Sequence, residues 1–586
     1  MNNMNFKRRV FLFFLLSSLI ASSQNLIDNQ WQFSLGDSLK WKEPHYNSAN
    51  WKTIKSGRTW EEQGYTNYDG FAWYRKTVFV SKRFEKEAIK QNGIILNLGT
   101  IDDADQIYFN GKLLGETGKL PPNYVSAYDK IREWIISPKD IRWDQENIIA
   151  VRVYDAGGGG GITGQEVSLK IKGLDTGLQI KPQFIRENQL FLNGEKFILP
   201  IFINNSSKEN ISGKMEYVLI NDFKDTISCW NEPLNIPAQQ KRQKIINKGK
   251  LAPGFYELFV NFKSKLLNLS KSYNFGVNPE KIVSPTDRAN DFDNFWMRAK
   301  KELSAVDPQF KLIQIDSLST NKRDVFIVEM RSLDNVLIRG FYACPKTTGK
   351  FPAILHVQGY GSYAQMNWGY PNDDMAVFVL NIRGHGNSRD EINPGFPGYL
   401  QCNLKDRERY IYRGAYMDCL RAVDFLCSRQ EVDSRFLVVE GGSQGGALSI
   451  ATAALDNKRI SLCIPAVPFL SDFPDYFKIA VWPGNEFTVY EKCHEDFGWK
   501  GIFENLSYFD IKNLAPWIKC PVLMSVGLQD VTCPTHINFA AYNQITSPKN
   551  YHVFPFSGHA LPSEYNGFKY DWMKNELEKL KASNNH

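Results

Sequence analysis

A run of glycines around one serine constrains this chain more than any other feature. Residues 436–440 are an apolar run typical of a buried strand, and residues 447–455 have the composition of a helix. Between them lies Gly-Gly-Ser-Gln-Gly-Gly, which places Ser443 in a G-x-S-x-G motif at a strand-to-helix turn. Such a turn exposes the serine hydroxyl, and small neighbours let other backbones approach it. We therefore interpret Ser443 as a nucleophile; the alternative is a glycine-rich turn without chemistry.

The second half of the chain alternates between strand and helix patterns. Short apolar runs occur at residues 353–357, 376–382, 436–440, 462–466, 521–526 and 551–554. Runs of this kind are typical of a parallel sheet whose two faces are both covered by helices. Ligand sites in such sheets lie at the carboxyl ends of the strands. The residues that follow each run are therefore the candidates for an active site.

A serine nucleophile needs a base and an acid that orients the base. In this class of sheet the acid precedes the histidine along the chain. Asp530 follows the run at 521–526, and His559 follows the run at 551–554. Both positions lie at carboxyl ends of strands, so Ser443, Asp530 and His559 are the predicted catalytic triad.

Four other residues compete for these roles. Asp472 follows the run at 462–466 and is the alternative acid. His552 lies inside the last apolar run, and His494 follows no strand. His536 comes at the start of a helix and is a candidate for the rim of the site.

The oxyanion formed in acyl transfer needs two backbone N–H donors. One belongs to the residue after the nucleophile, Gln444, which begins the predicted helix, where N–H groups have no intrahelical acceptor. The other belongs to the loop after an earlier strand, which is Gln358-Gly-Tyr360. We predict the N–H groups of Tyr360 and Gln444 as the oxyanion hole.

The residues before this α/β region have strand patterns without strong helix patterns. Residues 24–174 contain short alternating runs separated by turn signals such as Asn110-Gly111, which is typical of a β-sandwich of the jelly-roll type. Residues 175–280 alternate again and fit a smaller immunoglobulin-like β-sandwich. The predicted fold is therefore multidomain, with two β-sandwiches followed by an α/β domain at 281–586.

The beginning of the chain has the order of a secretory signal. Basic residues at 7–9 precede an apolar run at 10–20, and small residues follow at 21–23. The apolar run is shorter than the roughly 20 residues that cross a bilayer. We expect residues 1–23 to be cleaved and the mature chain to be secreted or periplasmic without stable membrane insertion; a signal anchor is the alternative.

Composition excludes several other classes of protein. Hydrophobic residues make up 43% and aromatic residues 13% of the 586, too many for a disordered or fibrous chain. The formal net charge of +7 is spread without basic blocks, which argues against nucleic acid as a partner. The nine cysteines include no C-x-x-C pair, so we expect buried thiols rather than a disulfide framework or a zinc site.

Several motifs of the α/β region resemble those of a known family. They are Gly359-Tyr360, Arg383-Gly-His-Gly-Asn-Ser388, Gly442-Ser-Gln-Gly445, Gly527-Leu-Gln-Asp530 with Cys533-Pro534, and Gly558-His559. Through these motifs residues 283–580 resemble the acetylxylan esterase and cephalosporin-C deacetylase family of carbohydrate esterases, which have the α/β-hydrolase fold. The resemblance implies the same triad and the same oxyanion hole, and it implies removal of acetyl groups from sugars.

The chain departs from the pattern of this family at three positions. Gln358, His385 and Ala560 stand where the family usually has His, Gln and Glu. None of the three is a predicted triad residue. The departures therefore leave the predicted chemistry in place and bear on the acyl group and its acceptor.

The first sandwich resembles the sugar-binding domain of family 2 glycoside hydrolases. The similar segments are Trp73-Tyr-Arg-Lys76, the strand and turn at 101–111, and residues 147–154. The resemblance implies a galactose-binding-like domain. Trp60, Tyr65 and Tyr68 would stack on sugar rings if they were exposed, although aromatic residues of a sandwich more often belong to its core.

Together these features predict a secreted serine esterase acting on acylated carbohydrate. It would remove O-acetyl or other small O-acyl groups from plant-type or other polysaccharides and oligosaccharides through an acyl-enzyme, with no metal or organic cofactor. One alternative is an α/β-hydrolase peptidase of the prolyl-oligopeptidase type. The other is a non-catalytic glycan-binding protein, against which the complete set Ser443, Asp530 and His559 argues.

Overall fold

The computed structural model describes most of the chain after the predicted signal. The described residues are 27–583 apart from 66–67, 158, 165–166, 172–177, 207–209, 265–267, 367–373, 397 and 481. The predicted signal at 1–23 and the predicted boundary between residues 174 and 175 lie outside the described residues. Within them, no helix combines the length and the apolar character needed to cross a membrane.

The first β unit consists of two packed antiparallel sheets. Its elements are β1 Gln30–Leu35, β2 Lys52–Lys55, β3 Gly70–Val80, α1 Glu85–Lys90, β4 Ile94–Asp102, β5 Ala104–Phe109, β6 Lys112–Thr117, β7 Ile131–Ile136, β8 Gln145–Asp155, β9 Gly161–Ile162 and β10 Ser168–Ile171. One sheet has the order β2-β1-β3-β8-β5-β6, and the other has the order β10-β4-β7 with β9 beside β4. Trp31 and Val151 of the first sheet pack with Leu96 and Ile136 of the second in one core.

Three aromatic residues that the sequence offers as sugar platforms belong to this core instead. Trp60 is fully buried, and its indole N–H donates to the carbonyl oxygen of Tyr68 at 3.1 Å. Tyr65 and Tyr68 are partly buried and pack against the same cluster. Their rings therefore stabilise the first β unit and leave little surface for stacking on a sugar.

Three carboxylates meet at one end of the first β unit. Asp102 ends β4, Asp103 follows it, and Asp155 ends β8; one oxygen of each lies within 4.8 Å of the others. Burial, together with the nearby negative charges, raises the pKa of Asp102 to about 7 and the pKa of Asp155 to about 6. Both groups therefore hold protons more tightly in the folded chain than in the unfolded chain.

This cluster predicts a specific dependence of stability on pH. The contribution of Asp102 and Asp155 is complete below the pKa of an ordinary aspartate, about 4, and is lost as the pH rises through 6 to 7, because these two groups bind more protons in the folded state than in the unfolded state in this window. Asp102→Asn keeps the neutral form at every pH. We expect the melting temperature of this variant, relative to the parent, to increase from pH 4 to pH 7 in buffers with EDTA. Asp129→Asn, an exposed aspartate of the same unit, is the control; a difference that is constant with pH would contradict the prediction.

The second β unit is also built from two sheets. Its strands are β11 Leu178–Pro182, β12 Leu190–Phe191, β13 Phe197–Asn205, β14 Ile211–Asn221, β15 Thr226–Ile236, β16 Lys241–Gly249, β17 Gly254–Lys263 and β18 Asn268–Val277. The sheet orders are β11-β13-β16 and β12-β18-β17-β14-β15. Pairing is antiparallel except between β12 and β18. Alternate residues of β13 and β14, such as Leu199, Ile201, Met215 and Tyr217, point into a shared core.

The α/β unit contains a nine-stranded sheet. Its strands are β19 Lys311–Gln314, β20 Arg323–Arg331, β21 Leu337–Pro345, β22 Phe351–Val357, β23 Ala376–Asn381, β24 Val432–Gly442, β25 Ile460–Ala466, β26 Val522–Gly527 and β27 Lys549–Phe554. The order is β19-β20-β21-β23-β22-β24-β25-β26-β27. The strands from β23 to β27 in this order are parallel, whereas β19, β20 and β21 form an antiparallel edge. The predicted α/β sheet is confirmed.

Helices cover both faces of this sheet. They are α2 Phe292–Ala305, α3 Ile411–Ser428, α4 Gln444–Leu455, α5 Phe473–Ile479, α6 Gly484–Cys493, α7 Gly498–Leu506, α8 Ile511–Leu514, α9 Thr535–Gln544 and α10 Glu564–Ser583. Leu355 and Val439 pack in the cluster that contains α3 and α4, whereas their neighbours Ile354 and Val438 pack with Met573 of α10. Adjacent residues of a strand point to opposite faces, which explains why the strands are continuously apolar.

A buried ion pair attaches the loop after β23 to α3. Arg383 Nε and Nη2 donate to the carboxylate of Asp418 at 2.9 and 2.7 Å, and the Arg383 backbone N–H donates to the same carboxylate at 2.9 Å. Both side chains are almost completely buried. The pair therefore holds a strand end at the edge of the sheet where the predicted site lies.

Asp418→Asn should lower the free energy of unfolding by about 3–5 kcal/mol, because the buried Arg383 charge loses its buried carboxylate partner and keeps the exposed Asp334 carboxylate, 4.0 Å from its Nη1. Asp496→Asn breaks the pair with Lys405, in which the Asp496 side chain is 77% exposed, and should cost less than about 1 kcal/mol. Urea unfolding followed by intrinsic fluorescence measures both. Equal losses of stability from the two substitutions would contradict a special role for the buried Arg383–Asp418 pair.

The cysteines, all of which lie in the described residues, are unpaired. Cys419, Cys463, Cys520 and Cys533 are buried, whereas Cys229 and Cys493 are exposed. Burial raises the pKa of the Cys419 thiol above its ordinary value. The buried thiols are therefore protonated apolar groups of the core rather than reactive thiolates.

Candidate active site

β24 ends at a strained turn that carries Ser443. Ser443 has φ 58° and ψ −121°, and α4 begins at the next residue. This backbone conformation costs a non-glycine residue on the order of 1–3 kcal/mol, so the surrounding structure must hold it in place. Ser443 is held by its N–H, which donates to the Ala466 carbonyl oxygen at 2.9 Å, and by its own carbonyl, which accepts from Phe469 at 3.0 Å.

The glycines of the turn permit close contact with the neighbouring strand. A β-carbon on Gly445 would collide with the carbonyl oxygen of Val357, the last residue of β22. The loop that follows β22 contains Tyr360. The turn and this loop therefore approach each other through backbone atoms, as an oxyanion hole made of two N–H groups requires.

Asp530 and His559 form a hydrogen-bonded pair beside this turn. His559 Nδ1 lies 2.8 Å from Oδ2 of Asp530. The other oxygen of the carboxylate accepts the backbone N–H groups of Thr532 and Cys533, each at 2.8 Å. The Asp530 side chain is fully buried, whereas the His559 side chain is 33% exposed. With Nδ1–H directed to the carboxylate, Nε2 keeps its lone pair and can accept a proton.

Backbone contacts between the two loops fix this pair. The N–H of Gln529 donates to the carbonyl oxygen of Ser557 at 2.9 Å. A β-carbon on Gly527 would collide with the carbonyl oxygen of Gly558. The loops after β26 and β27 therefore lie in direct backbone contact, which positions the acid and the histidine together.

The Ser443 hydroxyl lies near the thiol of Cys533. No hydrogen bond joins Ser443 to His559 in the described structure, in which both residues are included. Burial raises the pKa of the Cys533 thiol well above its usual value, so the sulfur is a neutral neighbour. Cys533 thus lies between Ser443 and Asp530, because its N–H binds Asp530 and its thiol lies near Ser443.

The side chain of Gln444 is clamped in the interior of the α/β unit. Its Oε1 accepts from the Tyr412 hydroxyl at 2.8 Å, and its Nε2 lies 3.2 Å from Nε2 of His385. Gln444 is also the first residue of α4, so its backbone N–H has no acceptor within the helix. The clamp fixes the orientation of that N–H beside Ser443.

His385 supports the other side of the predicted oxyanion hole. Its Nε2 accepts the backbone N–H of Gly361, the residue after Tyr360, at 3.3 Å. Burial lowers the pKa of His385 to about 4, so the ring is neutral and can accept this hydrogen bond at physiological pH. The sequence indicated His385 only as a departure from the family pattern. Its position shortly after β23, at the carboxyl edge of the sheet, is the signal that points to a role in the site.

The alternative acid Asp472 is engaged elsewhere. Its two oxygens lie 2.7 Å from the hydroxyl of Ser284 and 3.0 Å from Nζ of Lys512. All three side chains are buried. Asp472 therefore contributes to packing between α5 and α8 and makes no hydrogen bond to a histidine base in the described structure.

The other candidate histidines also have partners away from Ser443. His552 and His494 pack against aromatic rings. His536 is buried and its Nδ1 lies 2.7 Å from Oδ2 of Asp222 in the second β unit. His536 lines a cleft near the site, but its ring joins the α/β unit to the second β unit.

Three aromatic rings pack together near Ser443. Phe469, whose N–H binds the Ser443 carbonyl, stacks on Trp482 with ring centroids 5.1 Å apart. The ring of Tyr360 lies 5.6 Å from Trp482. These rings form a small aromatic wall near Ser443, which sequence reasoning did not identify.

Two groups of side chains among the described residues have the composition of a metal site. One is Asp472, Asp475 and His536, and the other is the carboxylate cluster of the first β unit. In the first group, Asp472 binds Lys512 and His536 binds Asp222, so protein groups already occupy these ligands. Neither group contains a residue of the predicted triad.

Comparison with known proteins identifies a family for the α/β unit. The acetyl xylan esterase family matches residues 281–576. The acetyl esterase Axe7A of Xylanibacter ruminicola is 28% identical over 347 residues, which are 57% of this chain and 77% of that protein. The first part of the chain is similar to the beta-galactosidase BoGH2A of Bacteroides ovatus, with 28% identity over 156 residues, or 24% of this chain and 16% of that enzyme.

Two solved structures of acetyl xylan esterases are similar in sequence to this chain. The acetyl xylan esterase from Paenibacillus sp. R4 is 30% identical and covers 51% of this chain and 98% of its own, with a TM-score of 0.47. Acetyl xylan esterase 1 from Thermoanaerobacterium sp. JW/SL YS485 is 29% identical and covers 51% of this chain and 97% of its own, with a TM-score of 0.48.

Proposed function

This chain belongs to the acetyl xylan esterase family of carboxylic ester hydrolases, and from that membership we propose that it is a serine esterase that deacetylates polysaccharides and oligosaccharides through an acyl-enzyme. The observation that carries the mechanism is the 2.8 Å contact between His559 Nδ1 and Asp530 beside the strained turn of Ser443. A nucleophile, a base and an acid in this arrangement are what acyl transfer requires.

In the first step Ser443 Oγ attacks the ester carbonyl and its proton passes to Nε2 of His559. The hydroxyl turns for this step from the Cys533 thiol toward the imidazole. Asp530 stabilises the imidazolium and keeps Nδ1 protonated. The histidine then protonates the departing sugar oxygen, and the acetyl group remains on Ser443. Water that loses a proton to Nε2 of His559 then attacks the acyl carbonyl. The bond from this carbonyl to Ser443 Oγ breaks, His559 returns the proton to Oγ, and acetate leaves.

In the tetrahedral intermediate the negatively charged oxygen accepts hydrogen bonds from two backbone N–H groups. We assign these donors to the N–H groups of Tyr360 and Gln444. Support comes from the clamp on the Gln444 side chain and from the hydrogen bond between Gly361 and His385. Fixed donors of this kind stabilise charge without reorganisation during the reaction.

The aromatic wall supports a small acyl group. The rings of Tyr360, Phe469 and Trp482 pack against one another, and the Phe469 backbone binds the Ser443 carbonyl. An acetyl methyl group fits against such rings, whereas a peptide would need a longer groove on the acyl side. We therefore assign acetyl esters of sugars as the substrates, in agreement with the names of the similar esterases.

We also propose roles for the other parts of the chain. We assign the first β unit, within residues 24–174, as a galactose-binding-like jelly roll, supported by its similarity to BoGH2A. The second β unit, within 175–280, is assigned as an immunoglobulin-like sandwich, and residues 281–586 as the esterase domain. Residues 1–23 are assigned as a cleaved signal that exports the protein to the periplasm or beyond.

Acetate release tests the function. The mature chain should release acetate from 4-nitrophenyl acetate and from acetylated xylo-oligosaccharides, and a peptide amide of similar size should not be cleaved. Cleavage of the amide with no release of acetate would favour a peptidase and contradict the esterase assignment. Binding of glycans without turnover of any ester would favour the non-catalytic alternative.

A further inference from the structure

A cleft of about 540 Å³ lies between the second β unit and the α/β unit. The α/β side of its wall includes Trp482, Asp530 and Val531, and the other side includes Lys224 and Glu257. This volume is in the range that is usual for small-molecule sites, about 300–1,000 Å³. We propose that this cleft is a sugar subsite, in which the second β unit binds the neutral sugar adjacent to the esterified one; the proposal rests on the proposed esterase function.

The wall of the cleft and the surroundings of Ser443 share two residues, Asp530 and Trp482. Asp530 belongs both to the cleft wall and to the pair with His559. Trp482 also lines the cleft, and its ring contacts those of Tyr360 and Phe469 beside Ser443. A substrate whose acetyl group lies at Ser443 would therefore extend its carbohydrate part along Trp482 into the cleft.

The second β unit is attached rigidly at this point. Asn274 Nδ2 donates to the Leu528 carbonyl oxygen at 3.1 Å and lies 2.8 Å from Oε1 of Gln529. Leu528 and Gln529 directly precede Asp530. The contact therefore joins the second β unit to the loop of the catalytic acid.

Two further contacts surround the same boundary. His536 at the start of α9 pairs with Asp222 at 2.7 Å. The rings of Phe255 and Phe539 lie 5.7 Å apart, and Phe255 belongs to the core of the α/β unit. A wall held by hydrogen bonds and by buried apolar contacts keeps its shape, which a binding subsite requires.

The chemistry of the wall fits a neutral sugar. Lys224 and Glu257 form an ion pair at 3.9 Å, with side chains 63% and 26% exposed. Together they offer donors and acceptors to hydroxyl groups, and their charges compensate each other, so the pair favours a neutral sugar over a uronate. Trp482 adds a ring face, and Val531 at the rim is 82% exposed. Rings combined with paired polar groups are suited to the alternating apolar and hydroxyl surfaces of sugars.

The experiment compares two esters in two matched double variants of the mature chain. K224A/E257A removes the polar pair of the cleft. K263A/E216A removes an ion pair at 2.6 Å on the same sheet, with side chains 51% and 28% exposed, outside the cleft wall. The substrates are 4-nitrophenyl acetate, which lacks a second sugar, and acetylated xylo-oligosaccharides of increasing length.

For K224A/E257A we expect the ratio of kcat/KM for acetylated xylotetraose to kcat/KM for 4-nitrophenyl acetate to fall by about 10-fold, because two polar contacts to one sugar are lost. The parent and K263A/E216A should keep the same ratio. An unchanged ratio in K224A/E257A, with the parent active on both esters, would overturn the subsite and leave the esterase function standing. A parent inactive on both esters would overturn the esterase function itself, and the subsite with it.

Discussion

Replacing Ser443 by alanine is expected to lower the turnover of 4-nitrophenyl acetate and of acetylated xylo-oligosaccharides by about 10⁴–10⁶. The loss is this large because triad members act as one unit, and neither His559 nor Asp530 has another hydroxyl to activate in the proposed mechanism. The turn itself should survive, since it depends on the Ser443 N–H and carbonyl rather than on the hydroxyl. Purified protein in single-turnover and steady-state assays measures the effect.

Two controls make the result specific. Ser428→Ala removes a hydroxyl that bonds only within its own helix, to the Phe425 carbonyl oxygen at 2.7 Å, and should retain full turnover. Rapid quenching of the parent, followed by mass spectrometry, should find one acetyl group on the peptide that contains Ser443. Turnover of a tenth or more in the Ser443 variant, or an acetyl group on a different residue, would refute Ser443 as the nucleophile.

Asp530→Asn should lower kcat by about 10⁴ with little change in the fold. The carboxylate oxygen Oδ1 accepts the N–H groups of Thr532 and Cys533, so the carbonyl of the asparagine is held at that position. Its amide N–H then faces His559 Nδ1, which must become the acceptor. The proton moves to Nε2, and the histidine can no longer take the proton of Ser443.

The comparison for this variant is the alternative acid. Asp472→Asn weakens contacts with Ser284 and Lys512, so it should lower the melting temperature while the folded fraction keeps a kcat within about tenfold of the parent. Melting curves and kcat measured on the same samples separate the two effects. A larger loss of kcat in the Asp472 variant than in the Asp530 variant would reverse the assignment of the acid.

The parts of this site that sequence analysis identified are those encoded locally. The turn at Ser443 is bounded by a strand and a helix that are recognisable within twenty residues, and the apolar run at 353–357 appears as β22, Phe351–Val357. The acid and the histidine could be proposed because each follows such a run. The edge strands β20 and β21 are less apparent, since several of their residues are only partly buried and interrupt the apolar pattern.

The parts that escaped prediction depend on pairs distant in sequence. His536 and Asp222 are 314 positions apart, and the sequence around either residue does not predict a contact with the other. His385 contacts both Gln444 and Gly361, so it joins the ends of three strands. That these strand ends are neighbours can be recognised only from the order of the sheet. Local periodicity gives the strands, whereas the order of the sheet and the docking of the second β unit follow from the global packing of surfaces.

The attachment of Asn274 to the loop before Asp530 limits how this enzyme can be divided. A chain that began at residue 281 would keep every residue of the triad, yet it would lose the contact that braces its acid loop and would expose the ring of Phe539. The second β unit therefore contributes to the surroundings of Asp530 in this chain. A shortened chain that retains the sheet of β14, β17 and β18 would preserve this contact.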